Sequence, residues 1–301
     1  MAANILTLIA APAAAAEAEA AVEMAADALR QLGARLAGRD WLAAGLACDI
    51  LFDDLVPDQA DAAARHALGE HLAIDVVAQP AEGRKKRLLL ADMESTIIEN
   101  EMLDELADGL GLRAQVAEIT RRAMNDEIDF ATALRERVAL LKGLPESALA
   151  EAGARIRIAP GADALVATMA RQGAYTVLVS GGFRVYTGRI RRELGFDLDV
   201  ANELIVEGGL IAGTVQEPIL GRDAKLATLK QVAAERGLPL AAALAVGDGA
   251  NDVAMIDAAG LGIAYHARPA VAARVRSRIE HNDLTALLYI QGYRAEEIVG
   301  R

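Results

Sequence analysis

The chain has 301 residues, 53% of them apolar, and a net charge of −12. That size and apolar content supply one large domain, or two to three smaller ones, with an ample core. The acidic balance argues against nucleic acid and anionic membranes as partners, because both require a basic face. The one cysteine, Cys48, excludes a disulfide framework and a cysteine-rich zinc site. It reads as small apolar filler in a reducing compartment.

At the N-terminus, MAANILTLIAAPAAAAEAEA holds a short apolar run and an Ala-rich tail, yet the first basic residue is Arg30. The charged start of a signal peptide is therefore missing. No apolar run reaches the roughly 20 residues of a membrane span, so a cytoplasmic protein is expected. Residues 1–80 predict a strand (5–9), a helix (15–32), two strands (34–42 and 48–53), a helix (59–72) and a strand (74–77). This βαββαβ order is that of a ferredoxin-like (ACT-like) module, an arrangement used for small-molecule sensing and dimerisation. It leaves room for a homodimer, and no residue in it looks catalytic. Trp41 is expected to pack inside the module. The polar break Gln79-Pro80-Ala81-Glu82-Gly83, followed by Arg84-Lys85-Lys86, reads as a linker.

RLLLADMEST, at 87–96, is the most informative stretch. Its Leu run fits a strand covered on both faces, as in a parallel α/β sheet. Ligands in such sheets bind beyond the carboxyl ends of the strands, where this strand delivers Asp92 and Glu94. A helical pattern follows, with Phe130, Leu134, Val138 and Leu141 at helical spacing. It is predicted as an insert over about 98–156. YTVLVSGGF (175–183) and LAVGDGAND (244–252) are further apolar strands that end in small, polar and acidic residues. Between them, Glu203 to Val206 and Leu210 to Val215 flank Glu207-Gly208-Gly209 as a hairpin. Three strand ends thus converge on one polar site.

Phosphoryl transfer from a monoester needs a nucleophile, a proton for the leaving alkoxide, a divalent metal and donors for the equatorial oxygens. Asp92 can be the nucleophile, and Glu94 the acid that later serves as base. Asp248 can join Asp92 in holding magnesium, a hard cation that takes one or two carboxylates plus phosphate and water. Ser180 and the Gly181 N–H can bind phosphate oxygens, and Lys225 or another nearby cation would balance charge. The histidines His66, His71, His266 and His281 show no metal-ligand spacing tied to these acidic motifs.

In this combination and order, the motifs of residues 85–295 resemble the phosphoserine phosphatases of the haloacid dehalogenase-like superfamily. The resemblance implies a doubly wound, Rossmann-like α/β core over 85–301, with the helical insert as a cap over the site. It implies Asp92 as the phosphorylated nucleophile, Glu94 as acid/base, Ser180 as phosphate ligand and Lys225 as the balancing cation. Asp248 would be a Mg2+ ligand, with the Glu94 backbone carbonyl completing the protein's metal contacts. Asn251 matches a phosphate-site position, and Asp252 one behind the metal ligands. In the cap, Glu101 matches the residue that receives the substrate ammonium and Arg137 the one that pairs with its carboxylate, while Met124 and Phe130 match apolar lining. One position departs, since the family usually has Asp where Glu94 stands. The implied activity is Mg-dependent hydrolysis of O-phosphoserine, the last step of serine biosynthesis. Two alternatives are action on another small phosphomonoester such as phosphohomoserine, or amino-acid sensing through residues 1–80 with weak phosphatase activity.

Overall fold

The computed structural model describes residues 2–69, 71–124 and 127–300, without the side chain of Met124. It begins with β1 (Asn4–Ala10), a 3-10 turn (Pro12–Glu17), α1 (Ala18–Gln31), β2 (Arg35–Ala43), β3 (Ala47–Asp53), α2 (Pro57–Leu68) and β4 (Ile74–Pro80). The strands form one antiparallel sheet in the order β2-β3-β1-β4, the ferredoxin-like arrangement. Its helix-covered face joins Leu6, Leu8 and Ala10 to Val22, Leu29, Ala60 and Ala64 in one core, with Trp41 packed against it. Prolines adjust the expected bounds. Pro12 opens a 3-10 turn, so α1 starts at Ala18 rather than near Ala15, and Pro57 starts α2 earlier than expected. A proline lacks only a donor that the first helical turn leaves unpaired anyway.

The remaining chain forms a six-stranded parallel sheet in the order β12-β11-β10-β5-β6-β7. Its strands are β5 (Leu88–Asp92), β6 (Tyr175–Phe183), β7 (Leu198–Asn202), β10 (Ala243–Gly247), β11 (Leu261–Tyr265) and β12 (Ser277–Ile279). Leu88 and Leu90 of β5 pack toward Leu229, Val232 and Met255, whereas Leu89 and Ala91 pack toward Leu165, Met169 and Leu287. Two covered faces are why this strand shows no polar alternation. From β5 the chain moves outward to β6 and β7, then returns to the other side of β5 for β10, β11 and β12. The switch point of the sheet therefore lies between β5 and β10, where the crevice of an open α/β sheet opens.

Between β5 and β6 come α3 (Met102–Leu110), α4 (Arg113–Met124), α5 (Phe130–Ala139), α6 (Ser147–Gly153) and α7 (Ala162–Arg171). After β6 follow α8 (Arg184–Leu194) and, beyond β7, the hairpin β8 (Leu204–Glu207) and β9 (Leu210–Val215). Gly208 and Gly209 form its two-residue turn with φ of 57° and 78°, the backbone sign that such tight hairpin turns require. The hairpin is tied to the helical insert by hydrogen bonds from Gly143 N to Ile211 O (2.8 Å), Ile211 N to Leu144 O (2.8 Å) and Glu146 N to Gly209 O (2.9 Å). The chain closes with α9 (Arg222–Glu235), α10 (Val253–Ala258), α11 (Pro269–Ala272) and α12 (Ala286–Ile290). Among the described residues, no helix is long and apolar enough to cross a membrane.

The expected linker is not a free connection. β4 continues through Gln79, whose amide donates to Ile290 O at 2.6 Å, and Arg84 pairs with the buried Asp49 at 2.7 Å. Lys86 donates to Gly83 O and Ala241 O, so most of the basic run is docked rather than solvated. The sheet face away from α1 and α2 adds Ile9, Leu42, Ala47 and Val77 to the core that holds Leu287 and Leu288. On that face Asp75 is fully buried and accepts from the backbone N–H groups of Glu280 (2.7 Å), His281 (3.2 Å) and Asn282 (3.0 Å), and from the Asn282 amide (2.9 Å). Those bonds offset the cost of burying its carboxylate.

Candidate active site

Asp92 ends β5 and is 5% exposed. Lys225, in the first turn of α9, brings its Nζ to 2.6 Å from Asp92 Oδ1 and 2.5 Å from Asp252 Oδ1. The other oxygen of Asp252 accepts the Gly249 N–H at 2.9 Å, which leaves both of its oxygens committed. Asp248, just past β10, completes a set of three carboxylates that each place an oxygen within 4.8 Å of the others. One ammonium does not balance them. Burial first, then the charge of Asp252, holds the Asp92 carboxyl well above the usual range. The same causes push Asp248 up to about 6. Burial works against the charge of Lys225, but Asp92 and Asp252 outweigh it and hold the ammonium above its ordinary pKa. An all-oxygen donor set with surplus negative charge fits a hard divalent cation such as Mg2+.

Glu94 stands two residues beyond Asp92. Its Oε1 accepts the Met102 N–H at the start of α3 (2.8 Å), and its Oε2 accepts from Ser180 Oγ (3.4 Å). Burial, followed by the nearby charge of Glu101, pushes its carboxyl up to about 7. The longer side chain is accommodated by Gly182, where a Cβ would lie 2.8 Å from Glu94 Oε2 and 3.1 Å from Ser180 Oγ. Ser180, 2% exposed, also accepts the Gly182 N–H at 2.9 Å. Parallel strand ends thus deliver a nucleophile candidate, an acid/base candidate and an anion-binding turn to one place.

The helical insert adds the upper groups. Glu101 precedes α3 with extended backbone and accepts from Ser95 Oγ at 2.7 Å. It is exposed at the lip of the cleft, yet the protein around it raises its carboxyl above the ordinary range, with desolvation the first cause. Ser95 takes the left-handed φ of 53°, a conformation uncommon for a residue with a side chain. Arg137 donates to Ala133 O at 3.2 Å. Burial lowers the pKa of its guanidinium, against the pull of Glu94, Asp104 and Glu101, and it forms no ion pair among the described residues. Phe130 lies over two glycines, because a Cβ at Gly181 would be 3.1 Å from its ring and one at Gly221 3.6 Å. Asn251 sits beside Gly249, where a Cβ would collide with its Oδ1. The expected pocket role of Met124 falls outside the described residues.

The haloacid dehalogenase-like hydrolase family matches residues 89–257, from β5 to α10. A phosphoserine phosphatase of Streptococcus thermophilus is 44% identical over 205 residues, covering 68% of this chain and 95% of that one. The chain belongs to the haloacid dehalogenase-like hydrolases. Within this family it resembles a solved structure described as a phospho-aspartyl intermediate analogue of phosphoserine phosphatase, with 38% identity and a TM-score of 0.63 over 68% of this chain and 98% of that one. A probable phosphoserine phosphatase from Vibrio cholerae matches almost end to end, with a TM-score of 0.76 and 28% identity over 98% of this chain and 88% of that one. The matched segment spans 67% of the phosphoserine phosphatase of Archaeoglobus fulgidus and 57% of SerB2 of Mycobacterium tuberculosis.

Three residues around the hydrolase site escaped sequence reasoning. Asn202, at the end of β7 and 2% exposed, donates to Gly181 O (2.8 Å) and Leu220 O (3.2 Å) and accepts the Leu220 N–H (2.7 Å). An Asn ahead of a hairpin reads as a turn former, so no signal marked it. Ser95 and Gly182 stood inside recognised motifs, but only the folded geometry gives them contacts.

Proposed function

We propose that this hydrolase cleaves O-phosphoserine to serine and phosphate through a phosphorylated Asp92. The observation that carries the reading is the pairing of a buried strand-end Asp92 on Lys225 with Glu94 held near neutrality at about 7. A general acid works best when its pKa lies near the working pH. Similarity to phosphoserine phosphatases over most of the chain supports the same substrate.

The Ser180 hydroxyl, the Gly181 N–H, Asn251 and the Lys225 ammonium hold the phosphate oxygens. Asp92 attacks phosphorus, the bond to the serine oxygen breaks, and protonated Glu94 gives that oxygen its proton. Glu94, now a carboxylate, takes a proton from the water that attacks phosphorus, and Asp92 is released. Asp92, Asp248 and the Glu94 backbone carbonyl would hold Mg2+, with Asp252 behind them anchoring Lys225. The bound ion supplies charge neutralisation on the phosphoryl oxygens. Glu101 takes the substrate ammonium, Arg137 its carboxylate, and Phe130 lines its carbon chain. The division into residues 1–80 and 85–301, a cytoplasmic location, a place at the end of serine biosynthesis and a homodimer through the N-terminal sheet belong to the same reading.

The test is phosphate release with and without Mg2+ across phosphoserine, phosphothreonine, phosphohomoserine and sugar phosphates. Phosphoserine should lead in kcat/KM, and Asp92→Asn should abolish turnover because an amide is a poor nucleophile. Preference for a sugar phosphate would refute the substrate, and normal turnover by Asp92→Asn the covalent route.

A further inference from the structure

We infer that Asn202 is a positioning residue that ties the phosphate-binding turn, the Lys225 helix and the helical cap into one unit. The inference rests on the assignment of Ser180 and Gly181 to phosphate. Asn202 uses both ends of its amide: the nitrogen donates to Gly181 O and Leu220 O, and the oxygen accepts the Leu220 N–H. Gly181 follows Ser180, while Leu220 lies just before α9, the helix that carries Lys225. One buried side chain therefore clamps the segments that deliver two of the phosphate-site groups.

The clamped segment is also where the cap meets the core. The Phe130 ring of α5 rests against both Gly181 and Gly221. Arg135, one turn further along α5, pairs with Glu217 at 2.7 Å. The hairpin β8–β9, which leads into residues 216–221, is itself hydrogen-bonded to the cap at Gly143, Leu144 and Glu146. Asn202 thus sits beneath a seat formed by Gly181 and Gly221. With Phe130 resting on that seat, the clamp couples the placement of the cap to that of Ser180, Gly181 and Lys225. Removing it would let the turn and the helix settle independently, and misplacement of reacting groups by about 1 Å can cost on the order of 100-fold.

The test compares wild type with Asn202→Asp, which keeps size and the acceptor for the Leu220 N–H but cannot donate to Gly181 O. Binding of inorganic phosphate in the presence of Mg2+ is followed by phosphorus NMR, turnover by kcat and KM, and folding by thermal melting. Expected are roughly tenfold or weaker phosphate binding and a loss in kcat/KM at least as large, with cooperative melting retained. Inorganic phosphate serves because its binding does not depend on which phosphomonoester is the substrate, so a wrong substrate and a wrong clamp give different results. Where the variant does not fold, amide exchange in the wild type decides: phosphate with Mg2+ should protect the amides of Ile219 to Gly221, which lie outside the assigned phosphate ligands. A folded Asn202→Asp that binds phosphate as tightly as wild type overturns the inference. So does unchanged exchange at Ile219 to Gly221.

Discussion

The carboxyl of Glu94 accepts the Met102 N–H and lies where a side chain at position 182 would stand, so a glycine there leaves room for it. Glu94→Gln is expected to lose roughly 10²–10⁴-fold in turnover, because both proton transfers are removed. Glu94→Asp should stay active, having the same chemistry and a shorter reach. With Glu94 at about 7, phosphorylation of Asp92 needs its acid form and should slow as pH rises through that value. Dephosphorylation needs the carboxylate and should quicken over the same range. Rapid-quench measurement of the two half-reactions checks this, and parallel pH profiles would refute the assignment. The placement of Asp92, Ser180 and Asp248 was legible because each comes directly after an apolar run whose strand brings it to the carboxyl edge of the sheet. Asn202 was not, because its contacts are with backbone groups of Gly181, near the end of β6, and Leu220, ahead of α9, 21 and 18 residues away.

At the scale of elements, α5 sets Phe130 against Gly181 and Gly221 and Arg135 against Glu217. Arg137 stands half-buried near Glu94, Asp104 and Glu101 and forms no ion pair among the described residues, so on the proposed reading its guanidinium is open to the substrate carboxylate. Arg137→Ala should weaken kcat/KM for phosphoserine by about 2–5 kcal/mol, the range for truncating one side of a desolvated charge pair. Ethanolamine phosphate, which lacks the carboxylate, should lose far less; equal losses would remove the assignment. Arg135→Ala, on the exposed face of the same helix, should leave the melting temperature nearly unchanged, because exposed ion pairs contribute little. The insert was legible as helices from its apolar spacing. Its partnership with the β8–β9 hairpin was not, because backbone bonds between Gly143 to Glu146 and Gly209 to Ile211 leave no side-chain pattern.

At the scale of the molecule, the two sheets share a core, so the ferredoxin-like order was readable from element sequence while its docking was not. A chain starting at Arg84 would uncover Leu287 and Leu288 and leave the N–H groups of residues 280–282 without Asp75. Its urea midpoint should fall well below that of the full chain, while turnover per folded molecule persists, since the described residues of this segment bring no group to the site. Equal midpoints would show the docking to be idle. The acidic site sets a second global property. Glu94 and Asp248 are raised from 4.5 and 3.8 to about 7 and 6, so the metal-free fold holds protons that the unfolded chain releases. Their contribution to stability is complete below about pH 4 and is lost as pH rises through 6 to 7. Melting in chelator should therefore fall across that window, and Mg2+ should restore it by binding only the folded state. The Asp75 contact implies an uneven tolerance to sequence drift. It is one side chain reading main-chain donors, and every amino acid except proline brings such a donor to position 281, whose own side chain points to solvent. Saturation mutagenesis should find position 281 permissive to all but proline and position 75 closed to almost everything, so that the two ends of the same bond drift at very different rates.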